Sequence, residues 1–418
     1  MLSVKDMREN SFFYEDCKFI SESDYQSLVR GDCKPLLNDI LIAKDGSYLK
    51  YVFVIEEEKE EVILSSIGIL RPNLDLINPF YIKYYLQSDF VKKQVARKYV
   101  SGTALPRIIL KNFGEIQVPY IDIQKQQKII KVLRCLDAKI ELNQRINAEL
   151  ESMAKTLYDY WFVQFEFPTP SAPLSAPLSL SGHLPKYDRE TLDNNKNTSV
   201  VFGGTEGGYK SAGGKMVWNE ALNKKVPEGW QVKSLGKALK TNLGGTPSTK
   251  NPEYWENATI PWLNSGDLVE FPIIKSSSFV TKNGVDNSAT TILPKGSVVI
   301  SLVRYIRPSI IALEACANQS VVGIRESEEL KNTFIYPYLV NEIPRLMSLR
   351  TGAQQPHINK ETIDEILLCI PPENILNKYY KISEPIYKKI INLAFESQTL
   401  TELRDWLLPM LMNGQVRA

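Results

Sequence analysis

Ser101-Gly102-Thr103-Ala104-Leu105-Pro106-Arg107-Ile108 is answered 250 positions later by Thr351-Gly352-Ala353-Gln354-Gln355-Pro356-His357-Ile358. A repeat at this distance decides the architecture, because a chain built twice from one module has to be read as two units. The echo extends in both directions. Downstream, Glu115-Ile116 matches Glu365-Ile366, and each copy soon reaches proline (Pro119; Pro371 and Pro372) before a long helical pattern. Upstream, Asn78-Pro79-Phe80-Tyr81 pairs with Asn332-Thr333-Phe334-Ile335, Ser66 to Arg71 resembles Ser320 to Arg325, and Leu2 to Met7 resembles Leu263 to Leu268. The offset drifts by several residues, as loop insertions cause.

Each module reads as short strands and turns closed by a helix. Asp39 to Ala43 and Ser297 to Leu302 are β-rich runs entered by turn residues. Phe80 to Lys98 has helical apolar spacing and follows Asn78-Pro79, a cap and first-turn pair. Phe167 to Leu184 is rich in Pro, Ser, Leu and Ala, which suits an exposed connector, and the Gly-rich stretch from Phe202 to Gly214 continues it. These features divide the chain into a first module (1–120), a central long helix (121–165), a connector (166–226), a second module (227–372) and a C-terminal long helix (373–412).

The two helices carry a heptad seam. Leu136, Ile140, Asn143, Asn147, Leu150 and Leu157 alternate steps of four and three, with Ala154 between the last two, and Ile386, Ile390, Leu393, Ser397, Leu400 and Leu407 repeat the six 250 residues on. At 1.5 Å per residue each helix is roughly 45 to 60 Å long. Two equivalent seams in one chain predict that the helices pair, antiparallel, as a rod separating the modules. The fold class expected is α+β: two repeated α/β domains and an antiparallel coiled coil.

Composition narrows the function. The chain has 418 residues, 43% hydrophobic and 23% charged, with a net charge of only +2, so bulk electrostatics does not advertise a nucleic-acid binder. Nothing approaches the roughly 18 apolar residues of a membrane span, and the charged N-terminus is unlike a signal peptide, so a cytoplasmic location is expected. Five scattered cysteines, never spaced C-x-x-C, indicate neither a disulfide framework nor a zinc cage. Asn78-Pro79-Phe80-Tyr81 is one residue from the Asn-Pro-Pro-Tyr motif of adenine methyltransferases, but no Gly-rich strand-to-helix loop precedes it, and a helix cap explains it. Gly204 to Ser211 nearly spells a phosphate loop, with Tyr209 where glycine is needed. The two histidines, His183 and His357, are far apart, and Glu56 to Glu61 reads as a solvated turn between strands. No catalytic residue and no metal ligand is predicted.

The duplication with its helix pair resembles the specificity subunit of type I restriction-modification systems, over essentially the whole chain. The strings that carry the resemblance are Pro227-Glu228-Gly229-Trp230, Gly244-Gly245-Thr246-Pro247-Ser248 followed by Tyr254-Trp255, and Ile260-Pro261-Trp262-Leu263. The Ser/Thr-Gly loops at Ser101 and Thr351 add to it, as do Leu136 to Asn143, Trp161-Phe162 and Leu407 to Val416. The resemblance implies two target-recognition domains, each reading one half of a bipartite site in double-stranded DNA, and helices that set the gap and dock methyltransferase subunits, two being expected. It implies S-adenosylmethionine in that methyltransferase partner, ATP and Mg in the restriction and translocase subunits, and no cofactor bound by this chain.

Base-edge readout needs forked donors and amides on loops held by a stiff scaffold. Candidates in the second module are Lys282 and Asn283 from a Thr-Lys-Asn-Gly turn, Arg304 and Arg307 after a strand, and Arg350, Gln354, Gln355 and His357 around the Thr-Gly loop. The first module offers Lys44, Asp45, Ser47 and Lys50 after its strand, with Arg97, Lys98, Arg107 and Lys111 around the Ser-Gly loop. Because Leu2 aligns with Leu263, the segment from Pro227 to Trp262 has no counterpart before the first module. That module is therefore expected to be N-terminally shortened, with exposed apolar surface, an unpaired strand edge and a weakly specified half-site. The competing class is a non-catalytic two-domain scaffold that binds protein or another polymer without reading DNA sequence.

Overall fold

The structure is a computed structural model that describes residues 1–15, 17–44, 49–98, 100–101, 107–108, 110–168, 208–352, 354–412 and 415. Most of the expected connector lies outside the described residues. The chain runs through α1 (Glu22–Arg30), β1 (Ile40–Ala43), β2 (Val52–Val54), β3 (Ile67–Leu70), α2 (Pro79–Gln87), α3 (Asp89–Lys98), β4 (Val100–Ser101), β5 (Arg107–Ile108), α4 (Leu110–Phe113) and the long α5 (Ile123–Tyr158). It continues with β6 (Met216–Asn219), β7 (Lys224–Pro227), β8 (Gln231–Ser234), α6 (Leu235–Ala238), β9 (Thr241–Leu243), β10 (Ile260–Leu263), β11 (Phe279–Val280) and α7 (Lys282–Asp286). The remainder is β12 (Val298–Ser301), β13 (Pro308–Ile310), β14 (Cys316–Ala317), β15 (Val321–Ile324), α8 (Asn332–Ser348), α9 (Lys360–Asp364), β16 (Leu367–Ile370) and α10 (Glu373–Met412). Two compact units result, Met1–Leu142 with Glu396–Ala418, and Asn143–Phe395, so both long helices contribute to both.

In the first unit an antiparallel sheet has the order β2-β1-β3, with Ile40 opposite Val54 and Leu70. Strand β1 is buried at every position, which is why it reads as an unbroken apolar run and not an alternating one. Ile40 and Ile42 pack with Tyr81 and Tyr84 of α2, Ile129 and Leu133 of α5, and Leu408, Leu411 and Met412 of α10. Leu41 and Ala43 face a second cluster containing Leu2, Met7, Phe12 and Phe53. The helix expected over Phe80 to Lys98 is two: at Ser88 the hydroxyl donates 2.7 Å to the Tyr85 carbonyl, the kind of local bond that competes with the helical ladder. Asn78 does cap it, its Oδ1 accepting from the Phe80 amide at 3.0 Å with Pro79 in the first turn.

Both long helices meet in this unit around Asp137. Its carboxylate accepts from Tyr84 Oη at 2.6 Å and from Arg404 Nη1 at 2.9 Å, and Lys83 Nζ stands 3.8 Å away. Lys83 is only 5% exposed; burial lowers its pKa, partly countered by Asp137. Lys139 pairs with Glu396 at 3.5 Å, so numbers rise on α5 as they fall on α10 and the pairing is antiparallel.

In the second unit the sheet order is β13-β12-β15-β9, joined by a sheet β11-β10-β14 and the pairs β6-β7 and β8-β16. Its core is aromatic where α5 ends in a π-helical turn, Asp159–Val163. The Phe162 ring lies 4.8 Å from Tyr379 of α10 and 5.1 Å from Phe334 of α8, centroid to centroid. The helices pair here too, Asn147 Nδ2 donating 3.2 Å to the Ile390 carbonyl. Along the seam, Ile140, Asn143, Leu157, Ile390 and Leu393 are buried, and Leu136, Asn147, Leu150, Ile386, Ser397, Leu400 and Leu407 are half-buried. Leu157 joins the core of the second unit and Leu407 packs against that of the first.

The duplication is visible bond by bond. Ser101 opposite Arg107 matches Thr351 opposite His357, and the bonds Lys44 N to Ser66 O and Ala43 N to Tyr51 O recur as Leu302 N to Ser320 O and Ser301 N to Arg307 O. The parallel bridge Leu2 to Ile63 matches Leu263 to Ala317. The segment from Pro227 to Trp262 supplies β8, α6 and β9, and β9 covers the outer edge of β15 with Leu243 opposite Val322. Among the described residues no strand pairs with the corresponding edge of β3, where Ile69 and Leu70 are half-buried.

Asn78→Ala should cost about 1 kcal/mol, the usual loss of a helix cap. Urea or thermal unfolding of the full chain checks this; the backbone N–H of Asn78, which donates to Gln126 Oε1 at 2.8 Å, is kept by the substitution, so a loss well above about 1 kcal/mol would show that the side chain does more than cap the helix.

Candidate nucleic-acid interface

In the second unit two loops lie side by side. One links β12 to β13; the other follows α8 and carries Thr351-Gly352. The Ile358 amide donates to the Leu302 carbonyl at 2.9 Å, and the Arg304 amide donates to the Pro356 carbonyl at 2.8 Å. Thr351 and His357 exchange both backbone bonds at 2.9 Å. Gly352 has φ +98°, a conformation that side chains disfavour. The guanidinium of Arg350 adds a strap, its Nη1 donating to the Arg304 carbonyl and its Nε to the Met347 carbonyl at 3.0 Å.

Arg304 itself has φ +58°, in the left-handed region, and its side chain is exposed. A non-glycine residue held there costs about 1 to 2 kcal/mol, sustained by the surrounding bonds. Ser301 pins the rest of the turn: its hydroxyl donates to the Tyr305 carbonyl and accepts from the Arg307 amide at 3.0 Å. Neither 301–311 nor 349–358 contains Asp or Glu. Three arginines therefore share a local positive patch, although the chain as a whole is nearly neutral.

The structure brings Arg304, Arg307, Arg350, Gln354, Gln355 and His357 together on these loops. Gln354, Gln355 and His357 are exposed, and His357 Nδ1 is 3.0 Å from the Gln355 carbonyl. Lys282 and Asn283 stand on a separate element. The expected turn there is the five-residue helix α7, because the Thr281 hydroxyl caps it by accepting from the Gly284 amide at 3.1 Å. Asn283 Oδ1 accepts from Asn287 at 2.8 Å. In the first unit the Ile108 amide donates to the Lys44 carbonyl at 3.1 Å, the counterpart of the Ile358 bond. Lys50 lies 5.0 Å over the Tyr51 ring, and Arg97 and Lys98 are exposed in the last turn of α3. Asp45 and Ser47, and the side chains of Arg107 and Lys111, lie outside the described residues.

Sequence reasoning passed over Tyr305, which is 61% exposed and has the Arg307 guanidinium 4.9 Å above its ring. The signal available was an aromatic residue between two arginines. Among the described residues, no group of three or more His, Cys, Asp and Glu stands where it could hold a metal ion, and no helix is long and apolar enough to cross a membrane.

If Arg304 is kept for contact with a ligand and not for the fold, Arg304→Gly should leave thermal stability unchanged or raise it by up to about 1 kcal/mol while weakening duplex DNA binding. Unfolding curves and duplex titrations on the same preparation check both; loss of stability with unchanged affinity would remove Arg304 from the interface.

The sequence matches the family model described as the type I restriction modification DNA specificity domain over residues 8–152 and again over 227–402, together more than half of the chain. It is 26% identical to the type I restriction enzyme MjaIX specificity subunit of Methanocaldococcus jannaschii over 80% of this chain and 68% of that one. It is 25% identical to the HindI specificity subunit of Haemophilus influenzae over 88% of this chain and 84% of that one. A solved type I restriction-modification S subunit from M. genitalium matches 90% of this chain and 83% of that one at 17% identity, with a TM-score of 0.48. With the family's domain found twice, at the two copies of the repeat, the chain belongs to the type I restriction-modification DNA specificity family.

Proposed function

We propose that this chain is the non-catalytic, sequence-reading subunit of a type I restriction-modification complex. The observation that carries the reading is the duplicated loop scaffold, in which equivalent backbone bonds hold the strand exit against the Ser/Thr-Gly loop in each unit. Residues 1–120 and 227–372 are the two target-recognition domains, each contacting one half of a bipartite duplex site. The candidate contact residues are Lys44, Asp45, Ser47, Lys50, Arg97, Lys98, Arg107 and Lys111 in the first domain and Lys282, Asn283, Arg304, Arg307, Arg350, Gln354, Gln355 and His357 in the second. Helices 121–165 and 373–412 set the spacer and dock methyltransferase subunits, two in number. S-adenosylmethionine belongs to that partner, and ATP with Mg to the restriction and translocase subunits.

Cationic loops of this kind give two separable signals. Phosphate contacts make affinity fall with salt, with a log–log slope of about −0.9 per phosphate neutralised, whereas base contacts give selectivity. Titrating the chain with its methyltransferase partner against duplex libraries at several salt concentrations should show both, and methylated positions mapped in a genome expressing the pair should define a bipartite motif. Salt-dependent binding without base selectivity would instead favour a scaffold. Lengthening both helices by four residues, about 6 Å, should widen the gap by one or two base pairs and keep both half-sites. Because Asn147 bonds to Ile390, the two insertions belong beside those residues. Altered half-sites with an unchanged gap would remove the spacer role.

A further inference from the structure

We propose that Arg307, carried on the ring of Tyr305, reads a guanine in the half-site contacted by the second domain. The proposal rests on the reading of the chain as a DNA specificity subunit and names the base and the residues within it.

The three arginines of the patch are not equivalent. Arg350 spends its guanidinium on its own chain, donating to the Arg304 and Met347 carbonyls. Arg304 joins the two loops through its backbone, its amide bonded to Pro356 and its carbonyl to Arg350, while its side chain is exposed and, among the described residues, has no ring beneath its guanidinium. Arg307 is different: its guanidinium carbon sits 4.9 Å over the Tyr305 ring. The turn that carries the pair is braced from within. Ser301, only 1% exposed, bonds both the Tyr305 carbonyl and the Arg307 amide, and Ile306 between them is 2% exposed and anchored in the core. Alternation about that anchor turns Tyr305 outward, where 61% of a large ring faces solvent.

A guanidinium laid on an aromatic face keeps its plane and its fork while its N–H groups stay available. Guanine presents O6 and N7 in the major groove as a matched pair of acceptors, and arginine is their usual partner. Fixing the fork in advance also removes part of the side-chain entropy that binding would otherwise cost. The pair is particular to the second unit. The first unit also has a cation over a tyrosine near the matching strand, Lys50 over Tyr51 at 5.0 Å, but there the tyrosine holds the place of Arg307, since Tyr51 makes the backbone bond that Arg307 makes in the second. Lysine is a point charge without a fork, so the guanine assignment applies to the second domain alone. Tyr305 is a positioning residue.

The test uses the full chain in complex with its methyltransferase partner and duplex DNA randomised across both half-sites, with discrimination read base by base. Wild type should require a G·C pair at one position of the second half-site. Arg307→Ala and Arg307→Lys should each lower discrimination there on the order of 10- to 100-fold and leave every other position, including the whole first half-site, unchanged. Tyr305→Leu should weaken the same position alone, and Tyr305→Phe, which keeps the ring, should restore it. Unchanged discrimination in Arg307→Ala and Tyr305→Leu, or a uniform loss over both half-sites such as fold damage gives, overturns the assignment while a selective wild type leaves the DNA-reading function standing. A wild type that binds duplex with no positional selectivity overturns both.

Discussion

Everything in this molecule depends on a short sheet that has to be covered on both faces. Strand β1 is buried at all four positions, as is β12, and neither sheet is wide enough to fold back on itself. Cover therefore comes from helices remote in sequence. The first unit takes the start of α5 and the end of α10, whose Leu408, Leu411 and Met412 enter the same cluster as Ile40 and Ile42. The second takes the end of α5, whose Trp161 and Phe162 enter the cluster of Val298 and Ile300. Burial of side chains this large is worth roughly 1.5 to 3 kcal/mol each, so the helices are part of the domain cores as well as partners of each other.

Polar groups then restrict how the helices can pair. Leucine and isoleucine tolerate sliding along a seam; a half-buried amide or carboxylate bonded across it does so less readily, because a shifted register takes its partners away. Asn147 bonding to Ile390, and Asp137 bonding to Tyr84 and Arg404, act in this way within their units. Lys83 shows the cost of the arrangement, since burial depresses its pKa and Asp137 only partly compensates.

The loops of the second unit obey a related logic. They are short, braced to each other by backbone bonds and by Arg350, and they hold Arg304 in a conformation the residue would not choose alone. Strain maintained at the surface, beside arginines with no acidic neighbour in either loop, suits a surface that presents donors in a fixed geometry.

Much of this was legible in the sequence. The duplication, the strand runs, the cap at Asn78 and the heptad seams are local patterns, and local patterns follow from steric and hydrophobic periodicity that the chain carries without help. The break at Ser88 and the helix at Lys282 were not legible, because each turns on one side-chain bond competing with the backbone. Three things belonged to the tertiary structure alone. The far end of α10 completes the first unit, since apolar periodicity marks a buried face without saying what buries it. The Ser301 hydroxyl ties Tyr305 to Arg307, and Arg350 is consumed by the Arg304 carbonyl while Arg307 is not. Charge and spacing made these arginines alike in the sequence; only the fold, by deciding which guanidinium finds a partner within its own chain, made them different.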